Sequence, residues 1–148
     1  MKGPGNILNM IIQTGNSKQT LFVRITVSLV FISEGIQKFL FPAQLGTGRF
    51  ISIGFSHPAF WAYFTASFEI ICGLLLLAGL FSRIASIPLL IIMITAFITT
   101  KIPILTQKSF WPWAHEYRTD FAMTLLLVYL IIYGSGGWSI DALNSSKI

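Results

Sequence analysis

LFVRITVSLVFISEGIQKFLF, residues 21–41, has the length and apolar content of a membrane-crossing helix. About 20 residues rising ~1.5 Å each cover the ~30 Å hydrocarbon core of a bilayer. Two ionisable groups, Glu34 and Lys38, lie well inside this stretch, and Arg24 lies near its start. An ionisable residue at such depth costs at least ~2.5 kcal/mol against lipid, so it marks a surface facing protein or water. The remaining sequence supplies partners for both.

The chain has 148 residues, 54% of them hydrophobic and only 10% charged. Soluble domains carry about 25% charged residues, so the deficit points to a membrane protein. The length suits one domain with four spans joined by short connections. The net charge is +5, but the basic residues are scattered, with no run able to follow a phosphate backbone. Nucleic acid is therefore excluded as a partner, and the lipid bilayer is the expected one. Cys72 is the only cysteine, which rules out an internal disulfide, a CxxC pair and a thiolate metal cluster within one chain. Two histidines, His57 and His115, do not make a metal site by themselves. No pattern for haem or flavin is present, and no self-contained catalytic motif.

In chain order, residues 1–20 form a short lead-in whose apolar patch, residues 7–12, is too brief to span and reads as interfacial. That segment lacks the order of a cleaved signal peptide, so the first span is expected to act as the insertion signal. Pro42 ends the first helix, and a Gly-rich loop with a short interfacial helix near residues 49–53 follows. The second helix is expected over residues 58–80, with Ser56 or His57 as cap, Pro58 in its first turn and Glu69 near its middle. Gly79, Ser82 and Arg83 make a tight turn into a third helix over 83–102, bent by Pro88 and ended by Pro103. The last apolar run, residues 121–133, is about 13 residues and covers only ~20 Å. Either it extends backward to residue 113 or the bilayer thins around it; extension is favoured, since Pro112 suits a helix start and Trp111 and Trp113 then lie in the interfacial aromatic belt. Glu116 and Asp120 then share one helix face. Residues 144–148 form a tail.

The expected fold is an all-α, integral-membrane bundle of four helices with both termini on one side. Antiparallel threading brings Glu34, Lys38, Lys101, His115, Glu116, Arg118 and Asp120 into one half of the bundle, with Glu69 near the midplane. The acids Glu34, Glu69, Glu116 and Asp120 nearly balance the bases Lys38, Lys101 and Arg118, as pairing of buried charge requires. Glu34 and Lys38 stand in the favourable i, i+4 order, whereas Glu69 must either meet a base across the bundle or stay protonated. Arg24, Arg83 and Asp141 fall at the opposite surface, where they read as topology anchors and structural ion pairs. Basic residues are evenly split between the two sides. Those flanking the first helix and the short turn favour the cytoplasm for the side carrying the termini, in a multi-pass protein of the cell membrane.

These residues resemble the DoxX family of small four-span membrane proteins. The likeness rests on Arg24, then Glu34-Gly35-Ile-Gln-Lys38 and Pro42, then Phe68-Glu69 with Gly73 and a leucine run. It continues through Gly79 and Arg83 to Gly136-Gly137-Trp-Ser139-Ile-Asp141, so that it covers residues 20–143. The family takes its name from a subunit of a thiosulfate–quinone oxidoreductase, and its members are associated with membrane redox complexes and thiol-stress defence. The resemblance thus implies a membrane subunit of a quinone- or thiol-linked redox system working with partner proteins. The single cysteine excludes a self-contained dithiol version. Glu34, Lys38, Glu69, His115, Glu116 and Asp120 are the candidates for a ligand or proton site, and a quinone or a lipid is the candidate ligand. A non-enzymatic scaffold or assembly factor, or a lipid-binding protein, is the alternative. Cys72, beside Gly73, reads as a buried packing residue.

Overall fold

In the computed structural model, Thr14 and residues 17–145 are described, with the side chain of Ser145 left out. The interfacial lead-in expected over residues 7–12 lies outside them, as does most of the tail. The elements are α1 (Thr20–Leu40), α2 (Thr47–Ser52), α3 (Pro58–Ala78), α4 (Ser82–Ala96), a π turn (Phe97–Lys101), α5 (Ile102–Gln107), α6 (Phe110–Tyr133) and α7 (Ile140–Ser145). No strand occurs among the described residues. Three helices are long and apolar enough to cross a membrane: α1, α3 and the continuous run Ser82–Gln107. With its 24 residues, α6 has the length of a fourth.

Local chemistry sets most boundaries. The Phe41 N–H bonds back to the Gln37 carbonyl, and Pro42 follows with no donor to continue α1. Pro58 occupies the first turn of α3, entered through His57 in a left-handed conformation (φ 58°) and without a side-chain cap. Gly79 (φ 69°) ends α3, and Phe81 (φ 49°) completes a turn that sends α4 back alongside it. The fourth long helix begins at Phe110, so the backward extension expected from its short apolar run is present.

Pro103 behaves differently from the sequence expectation, which had it end the third span. The helix instead runs on to Gln107. Pro103 has no N–H to offer the carbonyl four residues back, and its ring would crowd that carbonyl. The π turn before it widens the helix, with the Ile102 N–H bonding to Phe97, five residues back, so that Pro103 enters at the start of a new α segment.

The main packing is pairwise, α1 on α3 and α4 on α6, with α3 and α4 joining the pairs. Small residues allow the first contact. A Cβ added to Gly35 would lie 2.7 Å from the Ala66 carbonyl oxygen, and one on Gly73 would lie 2.7 Å from Ile32 Cγ1. Val27, Leu76, Leu89, Leu127 and Leu130 are fully buried and fill one half of the bundle. Cys72 belongs to that buried cluster. Large apolar side chains such as Phe22, Leu29, Ile71, Ile91, Leu125 and Ile132 point outward. In water such a surface would be a liability; in a bilayer it is the solvated face.

Candidate functional site

At the level of Val27, Leu89 and Leu127 the core is closely packed, with these side chains fully buried, but further along the bundle the helices separate. A cavity of about 600 Å3 lies there, walled by α1, α2, α3, α4 with its π turn, and α6. Most of its lining is apolar or aromatic, including Phe31, Phe50, Phe64, Ile92, Met93 and Met123. The charged lining residues of α1, α3, the π turn and α6 fall into two clusters.

The first cluster joins α1 to α3. Lys38 Nζ lies 3.0 and 2.7 Å from the two carboxylate oxygens of Glu69, whose side chain is only 4% exposed. Glu34, one turn before Lys38, is half-exposed, with its carboxylate 3.7 Å from the same ammonium. Its backbone carbonyl also accepts from Lys38, at 3.4 Å. Glu69 therefore meets a base across the bundle, one of the two outcomes its isolation on the helix allowed. Gly35 makes the contact reachable, because without a Cβ there α1 can close on α3 beside Glu69.

The second cluster joins the π turn to α6. Buried Lys101 places Nζ 3.2 Å from Asp120 Oδ2, 4.0 Å from Glu116 Oε2 and 3.0 Å from the Glu116 carbonyl, to which it donates. Lys38, Glu69, Lys101, Asp120 and Glu34 all line the one cavity. Thr95, Thr99 and Thr100, also on the wall, donate their hydroxyls to backbone carbonyls four residues back, leaving the hydroxyl oxygens as acceptors.

Four of the expected site residues thus converge on the cavity: Glu34, Lys38, Glu69 and Asp120. Glu116 touches it only through Lys101, and its carboxylate is exposed. His115 is exposed and does not line the cavity. Two charged lining residues stood outside the candidate set, Lys101 and Arg49. Antiparallel threading already places Lys101 in the same half of the bundle as a base balancing its acids, without counting it a site residue. Arg49 could not be picked out, because a basic residue in a Gly-rich loop carries no comparable signal. Among the described residues, no group of three His, Cys, Asp or Glu side chains is arranged to hold a metal ion.

At the opposite end, among the described residues, no ion pair within 4.0 Å joins Arg24, Arg83 and Asp141, although Arg24 feels the charge of Asp141. Asp141 instead accepts from the Phe81 N–H (2.9 Å), the Ser82 N–H (3.3 Å) and the Ser135 hydroxyl (3.0 Å). Buried Arg24 donates Nη1 to the Ser135 carbonyl at 2.8 Å. The exposed N-terminal amides of α4 offer a carboxylate stabilisation comparable to that from a guanidinium, and at shorter reach.

Comparison with known proteins covers most of the chain. A family model described as DoxX matches residues 19–102. The chain is 46% identical over 131 residues to a Mycobacterium tuberculosis protein named "Uncharacterized membrane protein Rv3486", covering 84% of this chain and 80% of that one. It is 32% identical over 123 residues to the Bacillus subtilis protein named "Putative oxidoreductase CatD", covering 82% and 84%. No solved structure matches.

Proposed function

The chain belongs to the DoxX family of membrane proteins, and from that premise we propose that it is the ligand-binding membrane subunit of a redox system, holding a quinone-like molecule in the cavity. The observation that carries this reading is a cavity of about 600 Å3, apolar for most of its wall, into which two buried lysine–carboxylate pairs project. Ligand sites are typically ~300–1,000 Å3, mostly apolar, with a few placed polar groups that fix orientation. An isoprenoid-bearing ring fits that description: the apolar wall holds the tail, and Lys38 Nζ and Lys101 Nζ can donate to ring oxygens. The name of the B. subtilis relative points the same way.

A bound quinone supplies two-electron, two-proton chemistry, with the electrons delivered by a partner subunit carrying its own redox group. This chain's residues bind, orient and handle protons. Lys38 and Lys101 line the cavity, and each is held in place by a carboxylate, Glu69 or Asp120, able to accept a proton. The exposed carboxylates of Glu34 and Glu116 stand next to those same ammoniums and link each pair to the protein surface.

In phosphatidylcholine nanodiscs, the purified protein should bind a short-chain ubiquinone or menaquinone analogue. Glu69→Gln and Asp120→Asn should each weaken that binding about tenfold or more while helical content is kept. Unchanged affinity in both folded variants would sink the proposal. An empty cavity together with a protein partner that stays bound through purification would favour the scaffold alternative.

A further inference from the structure

The charges around the cavity are not distributed evenly. Both lysines are matched: Lys38 sits between Glu69 and Glu34, and Lys101 between Asp120 and Glu116. Arg49 is the third lining cation, and among the described residues its guanidinium has neither a carboxylate nor a hydrogen-bond acceptor. It is exposed and lines the cavity together with Phe50 of α2, Phe55 of the loop that follows and Trp61 of α3. Phe55 packs edge-on against both Phe50 and Trp61, with ring centroids 5.3 and 6.3 Å away.

The position of Arg49 is built rather than incidental. A Cβ on Gly46 would lie 2.5 Å from the Lys38 carbonyl oxygen, and one on Gly48 would run into the Ala43 carbonyl, so α2 closes against the end of α1 as only glycines permit. The Gly48 N–H donates to Pro42 (2.9 Å) and the Phe55 N–H to Phe50 (3.1 Å), which ties both ends of the segment down. The backbone of α2 is therefore held in place, and it carries Arg49, unpaired among the described residues, beside an aromatic and apolar part of the cavity wall.

From this we infer that the cavity takes an acidic amphiphile, an oxyanion headgroup on an alkyl or prenyl chain, with the headgroup on Arg49 and the chain along the apolar wall. The layout sets the orientation. Around the two lysines the carboxylates Glu34, Glu69, Glu116 and Asp120 outnumber the ammoniums, which disfavours an anion there and leaves Arg49 as its partner. A planar guanidinium also matches carboxylate and phosphate oxygens in a two-point contact. The inference rests on the cavity being a ligand site, and not on the redox chemistry proposed for it.

The test uses the full chain in phosphatidylcholine nanodiscs, with dodecanoate, dodecyl phosphate and neutral dodecanol as probes and the short-chain quinone run in parallel. Both acidic probes should bind about tenfold tighter than dodecanol, and Arg49→Gln should remove that advantage. Lys108→Gln, which removes equal charge from a residue that does not line the cavity, should leave it intact. Competition by added phosphatidylglycerol identifies a membrane phospholipid as the natural source of the headgroup; its absence identifies a free acid. Equal binding of dodecanoate and dodecanol, or an acid preference that survives Arg49→Gln, overturns the inference even if the quinone binds. Acid binding without quinone binding upholds it and removes the quinone reading instead.

Discussion

Both carboxylate oxygens of Glu69 lie within 3.0 Å of Lys38 Nζ in a setting that excludes nearly all solvent from the acid. Removing one partner of such a pair strands the other. Glu69→Ala leaves the Lys38 ammonium with only the half-exposed Glu34 and should cost about 3–5 kcal/mol. Lys38→Met combined with Glu69→Leu should recover most of that loss, since two apolar groups of similar volume need no partner. Thermal unfolding in one detergent compares the two; a double variant no more stable than Glu69→Ala would mean that the pair is not what holds α1 to α3. The i, i+4 relation of Glu34 to Lys38 was legible in the sequence because it depends only on helical spacing. That Lys38 makes its closer pair with Glu69 was not, because it depends on how closely Gly35 lets two helices approach.

Among the elements, α4 shows how a terminus is completed from far away in the chain. Its preceding residue, Phe81, has a left-handed backbone and no cap of its own, and the first amides are taken by Asp141, 60 positions later. Asp141→Ala should lower stability by about 1–2 kcal/mol, as loss of a helix cap does, with Asp141→Asn intermediate. Hydrogen exchange should quicken at the Phe81 and Ser82 amides before the rest of α4, and uniform acceleration along α4 would contradict the capping role. The sequence marked the charge at 141 but not its partner, because backbone amides at a helix start are invisible as residue types. The π turn is a similar case. Pro103 signalled a break by its chemistry, and only the packing of the widened turn, with Lys101 drawn to α6, shows that the helix absorbs the proline and continues.

For the whole molecule the decisive feature is the cavity, and it can be filled without touching a charge. Ala96 lines it, on the last turn of α4. Ala96→Phe should displace quinone and acidic amphiphile alike while the protein unfolds at nearly the same temperature, since the added ring enters existing space rather than packed core. Persistence of either probe would place its site elsewhere. The sequence by itself determined that the chain is an all-α membrane protein and which residues are too polar for lipid, because span length, proline and glycine positions and intramembrane charge are local quantities set by the bilayer. Threading alone also put Glu34, Lys38, Lys101 and Asp120 into one half, since antiparallel connection leaves little choice. Only the tertiary structure decided which acid meets which base, that space remains between the pairs, and that Arg49 lines that space without a partner among the described residues. Those outcomes depend on separations of a few ångströms between helices distant in the chain, set by side-chain packing and glycine contacts that no single segment encodes.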